Sequence, residues 1–277
     1  MIQAKKTLGQ NFLRSEKALG QIIEAADIQA DDTIIEIGPG EGVLTRRILE
    51  KNPERLILVE KDDRLVPILE KEFIKNTEKG QTSVDLIHSD ILEVFDDVLA
   101  YAKPSRQYKV VANIPYYITG AILRMIFESE RLPERAVLLV QKEVADRIIA
   151  EDKKESILSM SVKYYGMPKR IAVVPKGAFA PAPSVDSAIL QITNIRRPGT
   201  KEDEARFFTF IKAAFAHKRK LLVGNIKSAG HNLDLSKIDH GEGGPQTERL
   251  ASPDFVAKSR AEDLTLDECV ALSETLE

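Results

Sequence analysis

Thr33-Ile34-Ile35-Glu36-Ile37-Gly38-Pro39-Gly40-Glu41-Gly42, followed by Val43 to Lys51, is the stretch on which the fold turns. Thr33 to Ile37 reads as a strand and runs directly into the glycines. Val43 to Lys51 has helical spacing, with Val43, Leu44 and Ile48 apolar and Arg46, Arg47 and Glu50 polar. A strand, a glycine-rich turn and a helix make the nucleotide-binding βα unit, whose glycines let a ligand approach the backbone. Such a turn also serves a purely structural role, so the rest of the chain must decide.

The spacing is G-x-G-x-G and not the G-x-G-x-x-G of dinucleotide enzymes. Glu41 also puts a negative charge near the helix N-terminus, where a pyrophosphate would otherwise bind. Both features disfavour NAD and favour a phosphate-free, cationic ligand such as S-adenosylmethionine. Arg55 to Val59 is a second strand, ending in Glu60-Lys61-Asp62. Glu60 follows Gly38 at close to the ~20-residue offset at which an acid meets ribose hydroxyls. Val84 to Ile87 is a third strand, followed by His88-Ser89-Asp90. Asp90 is placed to accept the exocyclic amine of a cofactor adenine. His88 is expected to be packed or on the surface, because adjacent His, Ser and Asp cannot face one another as a triad must.

Lys109 to Ala112 ends a further buried strand, and Asn113-Ile114-Pro115-Tyr116 follows at its carboxyl end, where an open α/β sheet collects ligands. Pro115 fixes its own φ and pushes Ile114 into an extended conformation. The loop therefore offers the Asn113 side-chain carbonyl and the Ile114 main-chain carbonyl as neighbouring acceptors, with the Tyr116 ring beside them. An aryl amine is a poor nucleophile because its lone pair is delocalised into the ring. Acceptors on its hydrogens turn that pair out of conjugation, while the ring stacks on an aromatic face for about 1–3 kcal/mol. Taken alone, the same residues also read as a strand end with an Asn-x-Pro turn.

The remaining chain continues the alternation. Helices are predicted over Glu16 to Ala26, Asp63 to Ile74, Thr119 to Glu128, Gln141 to Ala150 and Glu155 to Tyr165, the last against the sheet edge. Ala136 to Val140 is a strand, and Ile171 to Val174 with Val185 to Thr193 forms an antiparallel hairpin. Phe179 sits between them on a proline-stiffened loop, beside Lys176. Composition changes after Arg196-Arg197-Pro198-Gly199, which divides the chain into 1–197 and 198–277. Glu204 to Ala216 reads as a helix carrying Phe207, Phe208, Ile211, Ala214 and Phe215, followed by the basic run His217 to Lys220. Gly241 to Pro245 is a loop, and Thr265 to Glu268 a capping box that opens a last helix.

The net charge of −3 is uneven: residues 231–277 hold 11 acidic and 4 basic residues, leaving the first 230 with a balance of +4. A mildly basic body permits RNA binding through a local patch. No apolar run approaches a membrane span, and Met1 to Lys6 carries no apolar segment after its charges, so no secretory signal is expected. With Cys269 alone, an internal disulfide and a cysteine zinc cluster are excluded. A cytoplasmic setting is the default expectation.

Seven ordered motifs resemble one family: Gly9-Gln10-Asn11-Phe12-Leu13, Glu36 to Gly42, Val59 to Asp62, Ser89-Asp90, Asn113 to Tyr116, Gln141 to Ala145, and Phe179-x-Pro181-x-Pro183-x-Val185-Asp186-Ser187. It is that of the ribosomal RNA adenine N6,N6-dimethyltransferases, on the small-subunit (kasugamycin-sensitivity) branch. The resemblance is dense over the first 195 or so residues and looser beyond. It implies an α/β, Rossmann-like class I methyltransferase domain with a mixed seven-stranded sheet over 1–197. A small all-α domain over 198–277 would bind rRNA. Asn11, Leu13, Gly38, Glu60, Asp90 and Asn113, with Gly40, Lys61 and Ile91, would line the S-adenosylmethionine site. Asn113 and Ile114, held by Pro115, would orient the target amine, and Tyr116 and Phe179 would sandwich the adenine. Lys5, Lys6, Lys218, Arg219 and Lys220 would meet RNA. The implied reaction dimethylates two adjacent adenosines in the 3′-terminal hairpin loop of small-subunit (16S) rRNA, late in 30S assembly. It releases S-adenosylhomocysteine and uses no metal. A monomer acting in the cytoplasm, away from membranes, is expected.

Three alternatives stay open on the sequence. The sister group methylates large-subunit rRNA and shares the catalytic motifs, although Tyr116 to Thr119 and Arg260 to Leu264 favour the small-subunit branch. An assembly factor whose binding matters more than its methylation is a second. An NAD-dependent oxidoreductase is the third, and the turn spacing and Glu41 count against it.

Overall fold

The computed structural model describes residues 4–5, 8–75, 82–102, 107–217, 219–238 and 248–277. Its strands are β1 (Phe12–Leu13), β2 (Thr33–Ile37), β3 (Arg55–Glu60), β4 (Ser83–His88), β5 (Tyr108–Asn113), β6 (Arg135–Gln141), β7 (Met167–Val174), β8 (Phe179–Ala180) and β9 (Ser187–Thr193). Its helices are α1 (Glu16–Ala26), α2 (Val43–Leu49), α3 (Val66–Leu69), α4 (Ile91–Tyr101), α5 (Thr119–Glu128), α6 (Lys142–Ile149), α7 (Ile157–Tyr165), α8 (Lys201–Ala214), α9 (Leu222–Ser228), α10 (Pro253–Lys258) and α11 (Leu266–Glu274). The chain divides into two compact units, 1–145 with 166–196 and 146–165 with 197–277.

The first unit is built on a mixed seven-stranded sheet of order β4-β3-β2-β5-β6-β9-β7. Pairings from β4 to β6 are parallel, and β9 runs antiparallel to both β6 and β7. Central strands are apolar at nearly every position because parallel strands bury both faces; Ile34, Ile35, Leu56, Ile57, Val110 and Val111 are all fully buried. Helix α1 lays Leu19, Ile22 and Ala26 on the sheet, and Ser15 caps it by accepting from the Ala18 amide. The chain order reverses between β2 and β5, which lie side by side with Ile37 opposite Ala112. A crevice at such a switch point is where α/β sheets bind ligands.

The hairpin of β7 and β9 forms as expected, with a bulge between Arg170 and Ala172 on the outer strand. A second sheet of two strands, absent from the sequence reading, pairs β1 with β8 so that Phe12 lies opposite Ala180 and Leu13 opposite Phe179. The N-terminal segment, an arm leading into α1, is therefore fastened to the sheet-bearing unit. The helix expected over 63–74 begins only at Val66, with Pro67 in its first turn, and winds into a π-helical turn over Glu70–Ile74.

In the second unit, α8 packs on α9 and α11, and α7 packs on α8 and α11. The segment expected against the sheet edge is thus a helix of this bundle. The reason is aromatic: the Tyr164 ring stacks on Phe207 at 4.2 Å and meets Phe208 edge-on at 5.7 Å. Its buried face on α8 is Phe207, Phe210, Ile211, Ala213 and Ala214, a 3.6-residue period shifted from the predicted one. Thr265 caps α11 with Glu268 in the expected box, and the fully buried Glu268 carboxylate also takes two bonds from Arg249. The loop expected over 241–245 lies outside the described residues.

Candidate active site

The glycine turn leaves the carboxyl end of β2 with Gly38, Gly40 and Gly42 all at positive φ. Two of the three glycines stand against aromatic rings of the protein itself. A Cβ on Gly40 would stand 3.2 Å from the Phe12 ring, and one on Gly42 would stand 2.5 Å from the Phe73 ring. At Gly38 a Cβ would meet only the Asn113 main-chain oxygen, at 3.9 Å, so this is the position that leaves the crevice open. Glu60, at the end of β3, closes the turn from the other side. Its carboxylate accepts from the Gly40 amide at 3.1 Å and the Asp62 amide at 2.8 Å. Burial raises the Glu60 pKa and these amides oppose it.

A cavity of about 380 Å³ opens between this turn and the Asn113 loop. Its wall includes 8–13 of the arm, 36–41, Glu60 and Lys61, 89–92, and 113–118. Every residue expected in the cofactor site lines it: Asn11, Leu13, Gly38, Gly40, Glu60, Lys61, Asp90, Ile91 and Asn113. Ile114, Pro115 and Tyr116 line the same space. Four acidic residues line it, Glu36, Glu41, Glu60 and Asp90; Asp90 is bonded to Lys61 at 2.5 Å, Glu41 to Arg14 at 2.5 Å, and burial favours the neutral form of Glu36. The wall offers carboxylate acceptors, and its one lining lysine is already engaged, which disfavours a pyrophosphate and suits a ligand with hydroxyls and amines, so the residues present fit S-adenosylmethionine. Among the described residues no group of three His, Cys, Asp or Glu could hold a metal ion.

The Asn113 side chain is held by its nitrogen end. Nδ2 donates to the Asn11 main-chain oxygen at 3.2 Å, which turns Oδ1 into the group free to accept from a ligand. Pro115 (φ −58°) stiffens the corner, and the Thr119 hydroxyl donates to the Tyr116 carbonyl at 3.1 Å. The Tyr116 phenol is 2.6 Å from the hydroxyl of Ser187, a fully buried residue at the start of β9, which fixes the plane of the ring. Burial raises the phenol pKa, so it stays protonated.

Several expected residues stand elsewhere. Phe179 is 5 % exposed, packs in the apolar core with Phe12 and Leu13, and does not line the cavity. Its ring serves the β1–β8 pairing, and in this structure it offers no stacking face. Lys5 is engaged with Asp62 at 3.4 Å and Asp63 at 3.2 Å. Arg219 and Lys220 are exposed, while Lys6 and Lys218 lie outside the described residues. Glu41, expected to place a negative charge near the helix N-terminus, is paired with Arg14 at 2.5 Å.

Glu36 went unnoticed as a site residue. It is 1 % exposed, its Oε2 accepts from the buried Thr45 hydroxyl at 2.8 Å, and burial pushes its carboxyl up to about 8. The signal was present: a carboxylate inside Ile-Ile-Glu-Ile has no place in a buried strand unless something is meant to meet it.

The family model for ribosomal RNA adenine dimethylase matches residues 1–251. A protein of Dehalococcoides mccartyi named ribosomal RNA small subunit methyltransferase A is 43% identical over 239 residues, covering 85% of this chain and 78% of that one. Its namesake from Lactiplantibacillus plantarum is 38% identical over 278 residues, covering 99% and 90%. Among solved structures, the 23S rRNA methyltransferase ErmE superposes with a TM-score of 0.74 at 22% identity, over 96% of this chain and 99% of that one. A dimethyladenosine transferase from Plasmodium falciparum gives 0.72 at 23%, over 94% and 95%. The two structures establish the Rossmann-like methyltransferase fold, and the sequence matches go further. With a family model spanning most of its length, the chain belongs to the ribosomal RNA adenine dimethylase family and is an S-adenosylmethionine-dependent rRNA adenine methyltransferase.

Proposed function

We propose that this enzyme dimethylates N6 of two adjacent adenosines in the 3′-terminal hairpin loop of 16S rRNA, within an immature 30S particle and late in its assembly. The observation that carries the reading is the placement of the glycine turn and the Asn113 loop on neighbouring strand ends around one cavity. The name borne by the relatives at 37–43% identity supports the small subunit over the large.

The residues divide the work. Glu60 meets the ribose hydroxyls of the cofactor, Asp90 its adenine amine, and Asn11, Leu13, Gly38, Gly40, Lys61 and Ile91 complete the wall. When bound, S-adenosylmethionine supplies an electrophilic methyl group. Asn113 Oδ1 and the Ile114 carbonyl accept the two hydrogens of the target amine, which rotates its lone pair out of the purine π-system. No general base has to act before the attack, since the proton becomes acidic only once nitrogen has a fourth bond. An adenine already unpaired in a loop is splayed out at low cost and stacks on Tyr116. With Phe179 in the core, Tyr116 is the aromatic face this conformation presents. The helical unit, with Lys218, Arg219 and Lys220, binds rRNA. Lys5 and Lys6 are assigned to the RNA contact as well. The protein works as a cytoplasmic monomer without a metal; no helix of the described residues is long and apolar enough to cross a membrane.

The test is to incubate the protein with labelled S-adenosylmethionine and under-methylated 30S or 50S particles, then map the modified nucleotides. Two dimethylated neighbours near the 16S 3′ end are expected. Label confined to 23S rRNA would overturn the assignment.

A further inference from the structure

One buried carboxylate beside the cavity takes no part in the scheme above. Asp62 is 1 % exposed. Arg64 donates to it from Nε at 2.9 Å, Nη2 at 2.6 Å and its amide at 3.2 Å. This bidentate partner holds the Asp62 carboxyl well below the usual carboxylate range. Arg64 therefore already neutralises the charge, with Lys5 a more distant second partner at 3.4 Å, and the contact with Gln10 has another use. Gln10 Nε2 donates to Asp62 Oδ2 at 2.7 Å, while Gln10 Oε1 accepts from the Lys5 amide at 2.9 Å. Both ends of the Gln10 amide are held.

Gln10 precedes Asn11, whose main-chain oxygen takes the Asn113 amide. The segment from Leu8 to Asn11 has no regular hydrogen-bonded ladder of its own. It is fixed on one side by the β1–β8 pairing and on the other by Asp62, with the Tyr117 ring against Gly9. A carbonyl can orient a catalytic side chain only if it is itself immobile, and a misplacement of about 1 Å is enough to slow a reaction a hundredfold.

We infer that Asp62 is a positioning residue for methyl transfer: its grip on Gln10 fixes the Asn11 carbonyl, and that carbonyl fixes the side-chain amide of Asn113. The inference rests on the role given to Asn113 above. It connects an ion pair at the end of β3 to the acceptor at the end of β5.

Gln10→Ala in the full-length protein tests it, since Gln10 lies on the arm and the buried Asp62–Arg64 pair stays whole. Single-turnover transfer to under-methylated 30S particles is measured across S-adenosylmethionine concentrations, with S-adenosylhomocysteine affinity measured by calorimetry. The expected result is a fall of about tenfold in the rate at saturating cofactor, the scale of one lost charge-assisted bond. Asp62→Asn, which keeps shape and removes charge, should lower the same rate by a smaller factor. A merely structural cavity wall would weaken cofactor binding and leave the saturated rate unchanged; that pattern, or no change in either quantity, overturns the inference while the proposed function stands. A wild-type protein that transfers no methyl to 30S removes the role of Asn113, and this inference with it.

Discussion

Asn113 carries the largest expected loss. Replacing it with Ala removes one of two acceptors for the target amine and leaves the Asn11 carbonyl without its donor, so methyl transfer should fall by about a hundredfold or more. Particle binding should stay near wild type, as a filter-binding assay would check. Glu36 offers a different measurement. Its folded pKa, pushed up to about 8, lies above the unfolded value, so the folded state holds a proton that the unfolded state releases. Its contribution to stability is complete below the unfolded pKa and declines as pH rises toward 8, at up to about 1.4 kcal/mol per pH unit. Glu36→Gln should therefore flatten the melting temperature of the cofactor-free protein between pH 5 and 8 and raise it at pH 8. An unchanged pH profile would mean that Glu36 is charged in the folded state. Asn113 was legible in the sequence because a proline two residues on froze its loop at a strand end. Glu36 was legible only as an oddity, a carboxylate inside an apolar strand; the cavity it faces appears only after its neighbours in the sheet are known.

Elements were read well wherever a period could be counted. Strands such as Thr33 to Ile37 and helices such as Glu16 to Ala26 and Thr119 to Glu128 have the predicted bounds. Two-residue strands carry no period, so β1 and β8 were invisible, and with them the reason Phe179 is buried. Helix α7 was found but misplaced: its period gives a helix, and only the rings on α8 decide which surface it joins. The glycine turn supplies the prediction for this scale. Ala at position 42 must hold φ +73° with its Cβ 2.5 Å from the Phe73 ring. Gly42→Ala should destabilise the first unit by about 2–4 kcal/mol, from left-handed strain and overpacking together. Chemical denaturation followed by near-ultraviolet circular dichroism would show it, and a loss under about 0.5 kcal/mol would mean that the ring moves aside freely.

For the whole molecule, the acid-lined cavity predicts which ligand protects the fold. S-adenosylhomocysteine at a hundred times its dissociation constant should stabilise the protein by about 2.7 kcal/mol, read as a rise in melting temperature. NAD at the same concentration should leave the melting temperature where it was; the opposite pattern would restore the oxidoreductase reading. The sheet also has a bare flank. Its last strand, β7, exposes Met167 and Val173, and among the described residues no strand pairs with its outer side. The bulge between Arg170 and Ala172 breaks the even spacing of that flank and bends it. A foreign chain trying to zip onto it would lose register after a few residues, so the irregularity guards the protein against fibrous self-association when it is crowded.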